Sequence, residues 1–226
     1  MRPEEAQWIN AALHKHILTS EATPSFTVLN LGCGTKESRE IKKPYIYDLT
    51  IQPLSAKGFN VIHSDLIKDP GVDISGNLFD PEFSKKLQIL CPSLIYFCNI
   101  FEHLPKDKIT EIPLILDKIL QPNGYIMITA PRSYPYHPDP IDSMYRPDIN
   151  SLTNLFKNYT VISADEIECG SYRQDLASTR KIRIIRKIIR LFFPFIHPKR
   201  WASHAHRFFW LFKPYKITCV LLKKTA

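Results

Sequence analysis

Val28-Leu29-Asn30-Leu31-Gly32-Cys33-Gly34-Thr35 is the stretch on which the reading of this chain turns. A short apolar run breaks into two glycines one residue apart, the pattern of a strand entering a tight turn whose bare backbone lets a ligand lie against it. A dinucleotide fingerprint would put a third glycine three residues later, where Glu37 stands instead. Alone, the eight residues read equally well as a glycine turn with no ligand. The order of the surrounding segments separates the two readings.

Ahead of the turn, Trp8, Ile9, Ala12, Leu13, His16 and Ile17 fall at helical spacing and predict a leading helix over 4–18 within a segment 1–23. Beyond it, residues 36–43 are charged without a clean helical pattern, and 45–48 reads as a strand or an irregular insertion. A helix end stopped by Gly58 then feeds a second strand, 59–65, ending in Asp65. A short third strand (72–78), a helix (81–90) and the apolar strand 94–99 follow, the last of a kind buried on both faces of a parallel sheet. A helix over 106–120, the Gln121-Pro122-Asn123-Gly124 turn, a strand over 125–130, a helix near 149–156, and strands over 160–168 and 215–222 complete the pattern. Strands alternating with helices predict an α/β sheet.

The chain has 226 residues and a net charge of +8, and its charge is divided unevenly. Up to Asp175, 17 Lys and Arg face 22 acids, a balance of −5; beyond it 13 Lys and Arg face none. A local basic face implies an anionic partner. Five scattered cysteines without CxxC spacing argue against a disulfide framework and a zinc site. The N-terminus has no apolar core of a secretory signal and no run of about 18 apolar residues occurs, so the expected location is cytoplasmic.

In order, these segments resemble a class I S-adenosylmethionine-dependent methyltransferase of the small-molecule, type 11-like branch. Leu29 to Thr35 is similar to that family's first motif, Asn99-Ile100-Phe101-Glu102-His103-Leu104 to its turn after strand four, and the run from Leu120 to Pro131 to its next turn and fifth strand. The resemblance implies a single domain over 1–226 with a Rossmann-like seven-stranded, mostly parallel sheet, an antiparallel last strand and helices on both faces. It implies S-adenosyl-L-methionine as cofactor, held by Leu31, Gly32, Cys33, Gly34, Thr35, an acid at the end of strand two, Asn77 and Leu78 at the adenine, and Asn99 at the methionine part. Lys36, Asn77 and Asn123 depart from the usual residues, but an Asn still donates or accepts and tolerates positive φ.

The acid that would accept from the ribose hydroxyls is Asp65 or Asp48, 31 and 14 residues beyond Gly34 against a usual spacing of about 20. Asp65 is preferred because a glycine-stopped helix end precedes its strand. Methyl transfer from a sulfonium is an in-line displacement, so few side chains are obligatory beyond a group that takes the proton of a hydroxyl acceptor. His103, or else Glu102, is the candidate base, a histidine at a strand's carboxyl end having its pKa near neutrality.

The loop 131–147 holds five prolines and is read as a substrate loop. His137, Asp139 and Asp142 would bind an acceptor hydroxyl, or a divalent ion that acidifies one, and Tyr145 and Arg146 an anionic group. The irregular spacing leads us to assign no metal site. By resemblance the loop also looks like one of a bacterial subgroup tied to surface polysaccharides, which points to a small-molecule or sugar-containing acceptor. Within an insertion over 170–213, residues 180–193 form a basic amphipathic pattern, with isoleucines and phenylalanines on one side and Arg183, Arg186, Lys187 and Arg190 on the other. It would rest on anionic membrane, or cover the sheet with its basic side solvated. Nucleic acid is not expected, because no binding motif accompanies the charge. The expected activity is methylation at oxygen; the alternative is a non-catalytic binding module working through the basic lobe.

Overall fold

Alternation along buried strands builds the core. The computed structural model describes residues 1–19, 26–137, 141–177, 201 and 206–225. In β4 (Leu94–Cys98), Ile95 and Phe97 point into one apolar layer while Leu94 and Tyr96 point into the other. β5 (Tyr125–Ser133) divides Ile126 and Ile128 from Met127, and β7 (Pro214–Lys224) divides Val220 and Leu222 from Leu221 in the same way. A strand with two apolar faces needs helices on both sides. On one side α1 (Pro3–His16) brings Ile9 and Leu13, and α3 (Gln52–Ala56) brings Leu54. The other side is covered by α4 (Pro81–Ile89) through Phe83 and Leu87, α5 (Ile112–Ile119) through Ile112, Leu116 and Ile119, and α6 (Ile149–Thr153) through Leu152.

With β1 (Thr27–Leu31), β2 (Asn60–Asp65), β3 (Ile74–Ser75) and β6 (Tyr159–Ser171), the seven strands lie in the order β3-β2-β1-β4-β5-β7-β6. β1 pairs in parallel with β2 and β4, and β7 runs antiparallel between β5 and β6, as expected. The chain builds outward from β1 through β2 to β3, then returns to lay β4 on the other side of β1. Open α/β sheets bind ligands at the carboxyl ends of such a reversal point.

Three expectations are corrected. Of the two readings of residues 45–48 the strand is wrong and the irregular insertion holds: α2 (Pro44–Ile46) is flanked by wide, π-type turns at Glu37–Lys42 and Tyr47–Ile51, with the Lys43 amide reaching back to the Ser38 carbonyl at 3.0 Å. This segment is tied to the sheet by the buried Tyr96, whose hydroxyl donates to the Thr50 carbonyl at 2.9 Å. The third strand shrinks to two residues. The substrate loop begins later than 131, because Pro131 and Ser133 still pair with β7 through a bulge that accommodates the proline. The basic pattern over 180–193 lies outside the described residues. Among the described residues no helix is long and apolar enough to cross a membrane.

Candidate functional site

At the end of β1 the chain turns through Gly32 and Gly34, both left-handed with φ +63° and +62°. A Cβ on Gly32 would come within 2.9 Å of Ile100, whereas one on Gly34 would meet nothing within 4 Å. Gly34 thus faces open space. Its amide donates to Asp65 Oδ2 at 2.8 Å, and Leu66 donates to Oδ1 at 2.7 Å, so the carboxylate at the end of β2 is fixed beside the turn. Asp48, the alternative acid, lies in the wide turn Tyr47–Ile51 and ends no strand. Leu31 is buried, and the Cys33 amide donates to the Ser64 carbonyl at 3.1 Å while burial pushes its thiol up to about 11. Thr35 Oγ1 accepts from the Ser38 amide at 3.1 Å and caps the next turn. Asn77 bonds the Phe79 amide as an Asx turn, and Leu78 packs on the core beside it.

The second half of the site lies beyond β4. Asn99 takes φ +54°, and the turn Phe101–His103 follows. Glu102 is 1% exposed, and its Oε2 has no hydrogen-bond partner among the described residues. Burial, reinforced by the nearby Glu5 charge, pushes its carboxyl up to about 7 against the pull of His103 and Arg146. His103 Nε2 lies 3.9 Å from Glu102 Oε1. Glu5 itself reaches in from α1, fully buried, accepting from Asn99 Nδ2 at 2.7 Å, Thr129 Oγ1 at 2.6 Å and the Arg2 amide at 3.0 Å. A cavity of about 280 Å³ opens here, lined by Glu5, Asn99, Glu102, His103, Tyr134 and His137 among others.

The loop is stapled onto this turn. Ser143 donates its amide and hydroxyl to the Glu102 carbonyl at 2.8 and 3.1 Å, and His103 Nδ1 bonds the Ile141 carbonyl. His137 is thereby brought to His103, their ring centroids 5.6 Å apart. Asp142 has a different task from the one expected of it. Its side chain is buried, accepting from Arg146 Nη2 at 2.7 Å and the amides of His137 and Met144 at 3.0 and 2.8 Å. Burial alone would raise its pKa, but these donors hold the carboxyl below the usual range. Arg146 donates through Nη2 to Asp142 while its buried Nε has no hydrogen-bond partner among the described residues, and Tyr145 turns its ring toward Phe101, 5.8 Å away. Asp139 lies outside the described residues. A second cavity of about 310 Å³ shares Tyr134 and His137 and adds Tyr172, Asp175, Arg207 and Tyr215.

No protein-family model matches the sequence, and no curated protein matches it. Solved structures do. The [4+2]-cyclase SpnF superposes with a TM-score of 0.57 at 8% identity over 98% of this chain and 81% of its own. A provisionally assigned sarcosine dimethylglycine methyltransferase from Galdieria sulphuraria gives 0.54 at 15% identity over 98% and 86%. Coclaurine N-methyltransferase bound to N-methylheliamine and S-adenosylhomocysteine gives 0.50 at 14% identity over 97% and 72%. The chain has the Rossmann-like methyltransferase fold. A cyclase on the same framework is a reminder that a fold hosts more than one reaction.

Two buried groups of this methyltransferase fold escaped the sequence reading. Glu5 continues the apolar stripe of α1 one turn before Ile9, and a carboxylate at i−4 on that stripe is the signal that would have found it. Arg39 sits under the glycine turn, donating to the carbonyls of Gly34 at 3.0 Å and Gly71 at 2.6 Å. Nothing in the charged run 36–43 marks it as buried.

Proposed function

We propose that this chain is an S-adenosylmethionine-dependent methyltransferase that methylates a small-molecule or sugar-containing acceptor at oxygen. The observation that carries this reading is the pairing of Gly34 with Asp65 at the strand reversal. A backbone turn left open by the missing Cβ, beside a fixed carboxylate with lone pairs to spare, suits a ribose with two vicinal hydroxyls. Gly32 to Thr35 would pass beneath the amino-acid and ribose portions, Asp65 would hold the hydroxyls, Asn77 and Leu78 would flank the adenine, and Asn99 would face the methionine end. When bound, the cofactor supplies a methyl group on a positively charged sulfur.

The protein's part is placement and proton removal. The cavity beyond β4 would hold the acceptor against the Glu102–His103 turn, Tyr134 offering an aromatic wall. A hydroxyl acceptor must lose a proton as it is methylated, and this turn offers two groups beside which that proton can be lost. A neutral amine would need no such help before transfer, which is why oxygen is preferred.

Calorimetric titration with S-adenosylmethionine and S-adenosylhomocysteine tests the reading, followed by mass spectrometry of sugars and lipid-linked sugars incubated with protein and cofactor. Micromolar binding that Asp65→Ala weakens, and a methylated hydroxyl product, are the expected results. A well-folded protein that binds neither compound would overturn the reading and leave a binding module.

A further inference from the structure

We propose that Glu102, His103 and His137 form a site for one first-row divalent metal ion in the wall of the acceptor cavity. One ligand atom from each of the three lies within 4.8 Å of the others. Metal–ligand bonds of about 2.0–2.2 Å at tetrahedral or facial angles place three donors about 3–3.8 Å apart, so the three need to close by about an ångström or more, within reach of side-chain rotation. The donors come from two separate parts of the chain, the turn after β4 and the loop after β5, held together by Ser143 of the loop donating to the Glu102 carbonyl and by His103 Nδ1 of the turn bonding the Ile141 carbonyl of the loop. The set differs from the His137, Asp139 and Asp142 grouping that the loop's sequence offered, since Asp142 is turned to Arg146 and to two backbone amides of the loop.

Two observations beyond proximity point to a cation. The Glu102 side chain is buried, lines the cavity and carries an oxygen without a hydrogen-bond partner among the described residues. An unsatisfied buried carboxylate is costly, and the neighbouring Glu5 adds a second negative charge. Both imidazoles are also oriented by oxygen acceptors. His103 Nδ1 bonds the Ile141 carbonyl, and His137 Nδ1 lies 3.3 Å from both Asp142 Oδ2 and the Pro135 carbonyl. A carbonyl only accepts, so a neutral ring places its proton on Nδ1 and keeps its lone pair on Nε2. Acceptor–histidine–metal relays are built this way, the outer group fixing the tautomer that ligates. Two imidazoles and one carboxylate suit Mn²⁺, Fe²⁺ or Zn²⁺ and leave positions open toward the cavity.

The proposal rests on the methyltransferase reading for its chemistry and not for its binding. An acceptor hydroxyl in an open position would be acidified by the ion and release its proton to solvent. The new C–O bond would form as the C–S bond breaks, with the bonding pair passing to sulfur.

The test is metal titration of the full chain without cofactor. Protein stripped with EDTA is titrated with MnCl₂ and ZnCl₂ by calorimetry, and with CoCl₂ while the visible absorption of nitrogen-ligated Co²⁺ is followed. One ion per chain is expected at micromolar free metal, weakened about 100-fold or more in Glu102→Gln and in His137→Gln, and unchanged in Asp65→Ala. Circular dichroism and thermal melts show that each variant is folded. His137 is partly exposed, so its variant keeps the test open if Glu102→Gln fails to fold. No stoichiometric binding, or binding untouched in the folded variants, overturns the metal site. Because cofactor binding is titrated separately, that result would leave the methyltransferase reading standing.

Discussion

Asp65 and the two glycines show how one residue's surroundings decide what its loss would do. Asp65→Ala removes charged hydrogen bonds worth about 1.5–3 kcal/mol, so affinity for S-adenosylhomocysteine should fall about 10- to 100-fold by calorimetry. Gly34→Ala costs roughly 1–2 kcal/mol of left-handed strain and also pushes a methyl into the open space above the turn. The same change at Gly32 carries that strain but presses on Ile100, so it should lower the melting temperature with less effect on cofactor affinity. His63 makes a different prediction. Burial and the Arg39 charge lower its pKa to about 4, against the pull of Asp73. Between pH about 6.5 and 4 the unfolded chain binds a proton there that the folded chain refuses. Stability from this group is therefore complete above pH about 6.5 and is lost as pH falls through about 4. Partial exposure limits the effect to about 1–2 kcal/mol. Urea unfolding at pH 7.5 and 4.5 should show a smaller acid-side loss in His63→Gln than in the wild type; equal losses would remove His63 as a cause.

Among the elements, α1 does more than cover the sheet. Its carboxylate Glu5 reaches Asn99, just beyond β4, and Thr129, beside the last residue of β4 on the neighbouring β5, so the helix is pinned at the place where the cavity opens. Glu5→Ala would leave both donors buried without that acceptor, costing about 2–4 kcal/mol in chemical denaturation. Glu5→Gln keeps an acceptor for both but turns an N–H toward the Arg2 amide, so a smaller loss is expected. Equal losses for the two variants would show that volume, and not hydrogen bonding, matters at this position. The helix itself was legible in the sequence through Ile9, Leu13 and Ile17, because burial of one face imposes a period that composition reveals. Glu5's place on that buried face was legible too, but its task was not, since its partners lie 94 and 124 residues away. The segment 37–51 was illegible for a related reason. Its wide turns are held by Tyr96 and by Arg39 under Gly34 and Gly71, contacts that leave no local periodicity.

At the scale of the molecule, the α/β class was legible because β1, β4 and β5 are apolar on both faces and separated by helices, while the seven-stranded sheet with its antiparallel last strand was implied by the resemblance. The pairing of Asp65 with Gly34 was legible on the same grounds, since both stand at strand ends. The closure of the loop over the Glu102–His103 turn was not, for it depends on Ser143 meeting the Glu102 carbonyl and the Ile141 carbonyl meeting the His103 ring about 40 residues earlier. In the proposed reading the site would span the sheet's reversal point, with ribose-binding groups at the ends of β1 and β2 and acceptor groups on the turn after β4 and the loop after β5. Ligand bound across such a seam should stabilise the whole chain. With S-adenosylhomocysteine at about 100 times its dissociation constant, linkage gives about 2.7 kcal/mol. For a chain of this size that raises the melting temperature by about 5–10 °C. Asp65→Ala, at the same ligand concentration, should lose a large part of the shift, because its dissociation constant has moved toward that concentration. Glu102→Gln should keep most of it, because Glu102 belongs to the acceptor side. A shift abolished by Glu102→Gln and untouched by Asp65→Ala would reverse this division of the site and place the cofactor in the cavity beyond β4.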